Sequence, residues 1–240
     1  MKSIYSFIGI TLTCSIALTA HAAPHYYIQG ELGYSKQAME SLNDNINYND
    51  EEISLNGNVQ KKQNTFGQNI AAGMLWDMNP KYAAGIQLSY EWNGKTSYDL
   101  NGNYTHRVGI YGNVKDKLTI SSQSIDFLGI GQYQIHKKFA LLGGLGAQYQ
   151  FNKYTEAGTI DKTIVAPDAE IKIISFNDSK LRNGFAPEIM AGFLVTFNRN
   201  LSAGISYKHV FGHRFDGDFD TAPATLGLDK FMVNLRYTIA

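Results

Sequence analysis

The sequence predicts an all-β protein: an eight-stranded antiparallel transmembrane up-and-down β-barrel with short periplasmic turns and four long extracellular loops. Three observations predict it. Eight segments repeat apolar residues at every second position, aromatic residues stand at the ends of these apolar stripes, and short connections alternate with long ones. The composition agrees, because 23 glycines, 15 tyrosines and 13 phenylalanines make the chain too aromatic for disorder.

The first 22 residues are predicted to be a signal peptide, so that the barrel domain covers residues 23–240. Lys2 supplies a positive start, residues 4–20 form a short apolar stretch, and residues 20–22 (Ala-His-Ala) match a small-x-small cleavage pattern. The one cysteine of the chain, Cys14, lies inside this segment. We therefore expect no disulfide and no cysteine-based zinc site in the mature chain.

Alternation is clearest over residues 82–92, where one face carries Tyr, Ala, Ile, Leu, Tyr and Trp and the other Ala, Gly, Gln, Ser and Glu. No helix has this period, since only a strand changes face at every residue. Strands of about 10–14 residues are expected. In one of them, Leu128 and Ile130 fall on the otherwise polar face. The other seven segments lie near residues 26–34, 66–78, 123–135, 139–151, 185–197, 201–211 and 231–239.

The apolar faces are predicted to point outward into a membrane. Aromatic residues flank the stripes at both ends, as in the paired girdles of a membrane barrel. The opposite faces hold mainly Gly, Ala, Ser, Gln and Asn, which suit a filled lumen better than a surface in water. A soluble secreted barrel that carries a ligand against an apolar interior is the alternative.

The connections support the membrane prediction because their lengths alternate. Tight turns are predicted at residues 79–81, 136–138 and 198–200. Outer-membrane barrels have short periplasmic turns and long extracellular loops. Both chain ends then lie on the periplasmic side. The four long loops are predicted near residues 35–64, 94–122, 152–183 and 213–228.

The chain resembles the small eight-stranded outer-membrane barrels, the family that includes the transmembrane domain of outer-membrane protein A. The resemblance covers residues 24–240 and rests on the signal peptide, the strands and the closing stripe Phe231-x-Val233-x-Leu235-x-Tyr237-x-Ile239. This stripe departs from the family pattern, because it ends in Ile-Ala instead of an aromatic residue. The resemblance implies the outer membrane of a Gram-negative-type envelope, outer-membrane lipid and lipopolysaccharide as partners, and surface antigen or adhesin behaviour through the loops.

Six charged residues are predicted to face the lumen and to pair there, since an isolated buried charge is very costly. Asp77 and Asp126 are possible additional members. We interpret the set as a structural network that plugs the barrel, and the alternative is a gate that opens a narrow channel for small solutes. The six residues are Glu31, Glu91, Glu188, Lys208, Lys230 and Arg236.

No catalytic residue, metal site or cofactor is predicted. The resemblance raises one alternative, an enzyme acting on lipid A, for which His209 is the nearest candidate. No Ser stands two positions after it, and Ser206 falls on the other face. Asp216, Asp218 and Asp220 alternate in the last loop, but the glycine and the final glutamate of a calcium-binding loop are missing.

Charge and architecture limit the remaining partners. The chain has 21 basic and 21 acidic residues, so it lacks the basic footprint of a nucleic-acid-binding protein. A closed barrel has no free sheet edges that require association, and a monomer is expected. The function predicted from sequence is a non-catalytic role in envelope integrity and surface interaction.

Overall fold

The computed structural model describes residues 23–39, 45–49, 53–62, 64–106, 110–164, 171–215 and 224–239. No helix in these residues is long and apolar enough to cross a membrane. All paired strands are antiparallel. They are β1 (His25–Met39), β2 (Asn45–Asn49), β3 (Ile53–Lys62), β4 (Asn64–Asn79), β5 (Tyr82–His106), β6 (Ile110–His136), β7 (Phe139–Ile164), β8 (Ile171–Thr196), β9 (Leu201–Phe215) and β10 (Ala224–Ile239).

Eight of these strands close into a barrel, as the sequence predicts. The order around the ring is β1, β4, β5, β6, β7, β8, β9 and β10, and β10 pairs with β1 from Tyr26↔Ile239 to Met39↔Leu226. The hairpin of β2 and β3 lies outside this ring and pairs with the far end of β5. Three short turns join the strands at one end, which we call the turn end, and the opposite end is the hairpin end.

The apolar stripes point outward and the polar faces point inward. On β10, Val233 and Leu235 are exposed, whereas Lys230 and Asn234 between and beside them are buried. Such a distribution places apolar side chains in lipid and polar side chains in a filled lumen. The predicted orientation of the faces is therefore confirmed.

Aromatic side chains form two girdles around the barrel. At the hairpin end, the Tyr149 and Phe185 rings lie 4.7 Å apart, and at the turn end Phe139 and Phe193 stack at 5.7 Å. We call the part of the barrel between these upper and lower girdles the membrane band. An outward apolar band between two aromatic girdles is the arrangement of membrane barrels.

The predicted strand length of 10–14 residues is wrong, because β5 to β8 have 25, 27, 26 and 26 residues. The segments predicted as loops near 94–122 and 152–183 are largely paired strands that continue above the upper girdle. We call this part, formed by β5 from Lys95, β6 up to Ser122, β7 from Asn152 and β8 up to Gly184, the extension. Above the membrane the outward face of the sheet carries exposed polar residues, and its buried inward face mixes polar residues such as Thr96 and Ser122 with apolar ones, so apolar alternation no longer marks the strands.

Leu128 and Ile130 do not interrupt the alternation of β6. Both face the lumen and are buried, at 0% and 4% exposure. They belong to an apolar cluster that fills the turn end of the lumen, whereas the sequence predicted a polar filling throughout. The cluster consists of Tyr27, Leu75, Ala83, Leu128, Ile130, Ala140, Leu142, Met190 and Leu194.

A bulge in β5 marks the boundary between band and extension. The pairing with β6 shifts between Trp92 and Lys95, and Gly94 has a φ of 76°. Glycine adopts this left-handed conformation without the steric cost that a Cβ brings. After the bulge, even-numbered residues of β5 face the interior, so Thr96 and Tyr98 are buried.

Candidate functional site

A buried ionic cluster lies at the centre of the lumen. It joins four inward positions on four strands: Glu31 of β1, Glu91 of β5, Lys208 of β9 and Lys230 of β10, each at most 1% exposed. The Nζ of Lys208 is 3.1 Å from Oε2 of Glu31 and contacts Oε1 of Glu91. The Nζ of Lys230 contacts Oε2 of Glu91. Glu91 is thus held by two ammonium groups and is the centre of the cluster.

Amide side chains complete the hydrogen bonding of this cluster. Asn69 Nδ2 donates to Oε2 of Glu31 at 2.7 Å and to Oε1 of Glu91 at 3.1 Å, and Gln29 Nε2 donates to Oε1 of Glu31 at 2.5 Å. Lys230 also donates to Oε1 of Gln148 at 3.1 Å. The predicted lumen network contained charged residues alone and did not include these amides. Their inward positions in the alternation were the signal that would have found them.

Asp126 and Asp77, the two possible additional members of the lumen network, lie in different environments. Asp126 is fully buried and accepts hydrogen bonds from Ser124 Oγ at 2.8 Å and Ser89 Oγ at 3.3 Å. Asp77 is exposed at the turn end, where its Oδ2 lies 2.8 Å from Nε2 of His25. Asp77 pairs with Ala83 at the last regular position of β4 before the bulge, so it lies at the rim and does not reach the central cluster.

Glu188 and Arg236 face the lumen but stand apart from the ion pairs. Within the described residues, neither carboxylate oxygen of Glu188 has a hydrogen-bond partner. Arg236 donates to Oε1 of Gln29 at 2.7 Å, and its guanidinium carbon lies 4.0 Å from the ring centre of Tyr27. Arg236 therefore uses an amide and an aromatic face where the sequence predicted an acidic partner.

Three buried carboxylates come close enough to be considered as metal ligands. Oxygen atoms of Glu91, Asp126 and Glu188 lie within 4.8 Å of one another. Both oxygens of Glu91, however, already contact lysine ammonium groups. A cation at this place would have to displace Lys208 and Lys230. The arrangement is suited to holding strands together through internal ion pairs.

The side chains considered for lipid A chemistry are separated by the barrel wall. His209 lies on the outer face, where its Nδ1 is 2.7 Å from Oδ1 of Asp229, which also accepts a 2.7 Å hydrogen bond from Tyr207. Ser206 lies in the lumen, 3.5 Å from Oε1 of Glu31. A base and a nucleophile on opposite faces cannot exchange a proton. The candidate calcium ligands at positions 216, 218 and 220 lie outside the described residues.

The interior of the extension differs from the lumen below it. Tyr98, Ile120 and Tyr154 are buried at 5% exposure or less and form its inward face. The carboxyl group of Asp116 is also inward and is hydrogen-bonded to Glu156. Burial, followed by the neighbouring carboxyl group of Glu156, raises the pKa of Asp116 to about 7.

The chain is similar to several solved structures at low sequence identity. Solved structures with similar chain paths include Ail, the attachment invasion locus protein of Yersinia pestis (13% identity, TM-score 0.38, covering 89% of this chain and 98% of Ail). They also include the outer membrane protein OprG of Pseudomonas aeruginosa (11% identity, TM-score 0.44, 92% and 98%) and Neisserial surface protein A (8% identity, TM-score 0.38, 90% and 99%). No curated protein matches the sequence.

The match to a protein-family model shows the family to which the chain belongs. The model of the outer membrane protein beta-barrel domain matches residues 6–238, which is nearly the whole chain. The closed barrel, the outward apolar stripes and the two aromatic girdles are the features that a lipid-embedded barrel needs. The chain belongs to the family of outer-membrane β-barrel proteins and is located in the outer membrane.

Proposed function

We propose that the protein is a non-catalytic surface-interaction barrel, in which the membrane band is an anchor and the extension is the recognition surface. The observation that carries the proposal is the extension itself. Paired strands continue above the upper girdle, from Lys95↔Ser121 to His106↔Ile110 between β5 and β6. A rigid sheet raised above the membrane presents side chains to partners without folding on binding.

The outward face of the extension is polar and suits contact with an aqueous partner. Lys115 and Lys117 of β6 are exposed, as are Asn101 of β5 and Ser175 of β8. Basic side chains at this height also suit the phosphate groups of lipopolysaccharide, which together with outer-membrane lipid completes the proposed set of partners. A monomer suffices, since the ring of eight strands is closed.

The lumen supports a structural role for the band. The buried ionic cluster around Glu91 and the apolar cluster around Leu128 fill successive levels of the interior. Eight strands enclose only enough space for their own side chains. We propose that Glu31, Glu91, Lys208 and Lys230, together with Glu188 and Arg236 in the same lumen, stabilise this plug and with it the envelope.

The proposal is tested by shortening the extension while keeping the barrel. Residues 98–118 and 155–180 are each replaced by a short turn, and the wild-type and shortened chains are expressed in a non-adherent bacterial host. We expect the wild type to confer adhesion to cultured cells or to surfaces coated with extracellular proteins, and the shortened chain to lose it. Heat-dependent gel mobility checks that the shortened barrel is folded.

Equal adhesion by both chains, at equal surface amounts, would overturn the proposal. Loss of adhesion accompanied by loss of the heat-dependent gel shift would point to failed folding, so a milder variant is needed as a control. Lys115→Ala with Lys117→Ala changes only the outward face of β6. Reduced adhesion by this variant supports recognition through the extension.

A narrow channel is the second candidate function. It is favoured by the contact of Glu91 with two lysines, Lys208 and Lys230. Because two lysines compete for one glutamate, Lys208 is able to keep Glu31 as its partner while Glu91 remains with Lys230. Such an exchange would open a gap between β5 and β9. Single-channel recording in planar bilayers tests this: a silent wild type supports the plug, whereas resolved opening steps that become more frequent in Glu91→Gln support the channel.

A further inference from the structure

The turn end of the barrel carries four exposed cationic side chains, which we call the turn-end cations. Lys81 lies in the turn between β4 and β5, Lys137 and Lys138 lie in the turn between β6 and β7, and Arg199 lies in the turn between β8 and β9. The strand order places these three turns one after another around the barrel. The positive side chains are therefore spread around the rim and are not gathered at one point.

The charge balance at this end of the barrel is positive. Among the described residues one acid, Asp77, lies at the rim of the turn end, and its Oδ2 is 2.8 Å from Nε2 of His25. None of the turn-end cations forms an ion pair with a described residue. The chain as a whole has 21 basic and 21 acidic residues. The excess of positive charge is therefore a local feature of the turns.

Backbone hydrogen bonds tie each of these turns to the neighbouring strand. The carbonyl oxygen of Lys81 accepts a hydrogen bond of 2.7 Å from the N–H of Gln134 in β6, and that of Lys138 accepts one of 2.8 Å from Thr196 in β8. In the third turn, the carbonyl oxygen of Asn200 accepts one of 2.7 Å from β10. Each turn is thus fixed to the next hairpin, and the rim holds its cations in a defined arrangement.

Asparagine side chains hold two of the turns in shape. Oδ1 of Asn79 accepts hydrogen bonds of 2.9 Å from the N–H groups two and three positions later. Oδ1 of Asn198 accepts from the same two positions, at 2.9 and 2.8 Å. Such side chains close a turn by bonding its backbone. The cationic side chains of Lys81 and Arg199 are not needed for the turn structure and are available to an outside partner.

The turn-end cations lie next to the lower aromatic girdle. Phe139 directly follows Lys138 and stacks on Phe193 with 5.7 Å between ring centroids. Phe197, two positions before Arg199, is exposed as well. Aromatic girdles lie at the level of the lipid headgroups, and a short turn cannot carry its side chains far beyond that level. Because outer-membrane barrels have short turns on the periplasmic side, these headgroups are those of the periplasmic leaflet.

We propose that the turn-end cations bind the phosphate groups of anionic phospholipids in the periplasmic leaflet, and that this contact fixes the depth of the barrel in the membrane. Lysine supplies a point charge with three donors, and the guanidinium of Arg199 forms two parallel hydrogen bonds to a phosphate. Basic side chains at a lipid surface are attracted to anionic headgroups. The inference goes beyond the proposed recognition role, because it concerns the opposite end of the barrel.

A soluble anionic polymer of the periplasm fits these positions less well. Lipid headgroups surround a membrane barrel on every side, so they reach all three turns at once. A polymer approaches the rim only from below, where it competes with headgroups that already lie against the barrel wall. Charge spread around a perimeter at headgroup level therefore favours lipid as the partner.

The two tryptophans of the chain allow a direct test. Trp76 lies on the outward side of β4 near the turn with Lys81, and Trp92 lies on β5 towards the hairpin end. In the variant Trp92→Phe, the fluorescence of Trp76 reports on the lipids next to the turn end. The protein is placed in phosphatidylcholine vesicles that contain a minor fraction of brominated phosphatidylglycerol or, in parallel, of brominated phosphatidylcholine.

We expect brominated phosphatidylglycerol to quench Trp76 as if it were about twofold or more enriched next to the barrel, because the cations attract its charge. The enrichment should shrink at high salt, since salt screens charges exposed to solvent. Equal quenching by the two brominated lipids, at low salt, would overturn the proposal. An enrichment that salt does not change would also overturn it, because contact through the acyl chains would then be the cause.

Matched variants in the Trp92→Phe background assign the effect to the turns. Lys81→Gln with Lys137→Gln should bring the enrichment of phosphatidylglycerol close to one, whereas Lys81→Arg with Lys137→Arg keeps the charge and should retain the enrichment. Lys115→Gln with Lys117→Gln removes the same number of lysines from the extension and should also retain it. Equal losses in the two glutamine pairs would overturn the assignment to the turns. The heat-dependent gel shift confirms that each variant is folded.

The lipid measurement and the adhesion measurement fail independently. The barrel with the shortened extension keeps all turn-end cations, so it should show the same enrichment as the full chain. If shortening abolishes adhesion but no enrichment is found in either chain, the lipid proposal is wrong and the recognition role stands. If both chains show enrichment and adhere equally, the recognition role is wrong and the lipid proposal stands.

Discussion

The membrane band and the extension are built from the same strands but have opposite interiors. In the band, apolar side chains such as Leu235 face outward and charged residues such as Lys208 are buried. In the extension, Lys115 and Lys117 are exposed, and Ile120 and Tyr154 are buried. One continuous sheet thus changes from the distribution of a membrane protein to that of a soluble one. The solvent around the sheet decides which side chains it buries.

This difference predicts that substitution of a buried charged residue has the largest effect on the free energy of unfolding. Lys208→Met leaves Glu31 and Glu91 with one fewer cation in a dry lumen. We expect the free energy of unfolding to fall by about 3–5 kcal/mol, as for other broken buried pairs. Urea unfolding in lipid vesicles, followed by tryptophan fluorescence, measures the loss.

The matched control is Lys117→Met, which changes the same residue type on the exposed face of the extension. Exposed substitutions away from special features change stability by about 0.5 kcal/mol or less. Combining Glu31→Gln with Lys208→Met should recover part of the loss, because one uncompensated carboxylate is removed. Similar losses for Lys208→Met and Lys117→Met would show that the lumen is hydrated and the buried cluster contributes little.

The outward faces of the two regions give the second comparison. Leu235→Arg places a charge on the lipid face of the band, and we expect a cost of about 2–4 kcal/mol. Leu181→Arg makes the same change on the outward face of the extension, above the upper girdle, and should cost less than about 0.5 kcal/mol. Both values come from urea unfolding in the same vesicles. Equal costs would mean that the lipid reaches Leu181 and that the band is taller than the girdles indicate.

The same comparison explains what the sequence could and could not predict about the fold. Within the band, lipid outside and a packed lumen inside enforce a strict alternation, so all eight strands were predicted near their correct positions. In the extension, exposed Lys and Asn alternate with residues such as Thr96, and an apolar period is not visible. Pairing there depends on neighbouring strands, which a single sequence does not reveal. For this reason the sequence predicted loops where the structure has paired strands.

The site was predictable to a similar degree. The six charged residues that alternation assigns to the inward faces are buried, because one face of a strand determines the other. It did not predict their partners. Cross-lumen contacts such as Lys208 with Glu31 depend on the register and tilt of distant strands, and Arg236 found the Tyr27 ring instead of an acid. The face on which a side chain lies follows from local alternation in the sequence, whereas its partner depends on how the closed barrel brings distant strands together.

The smallest expected change in stability comes from ionisation of Asp116 in the extension. The pKa of Asp116 is raised to about 7 in the folded chain, against about 3.9 for an unfolded aspartate. The folded form thus keeps its proton between these values while the unfolded form has released it. The stability of the extension should fall as the pH rises from about 4 to about 7. Because Asp116 is only partly buried, we expect a loss of about 1–2 kcal/mol.

Hydrogen exchange separates this effect from the stability of the barrel. Amides of β6 near Asp116 should open more readily at pH 8 than at pH 5, after correction for the intrinsic exchange rate, while amides near Asp126 in the band serve as the reference. Asp116→Asn removes the ionisation and should abolish the difference in the extension. If the asparagine variant kept the pH dependence, another group would control the opening. If neither chain showed it, the carboxyl group of Asp116 would be solvated, and the soluble-like interior of the extension would begin below it, at Ile120.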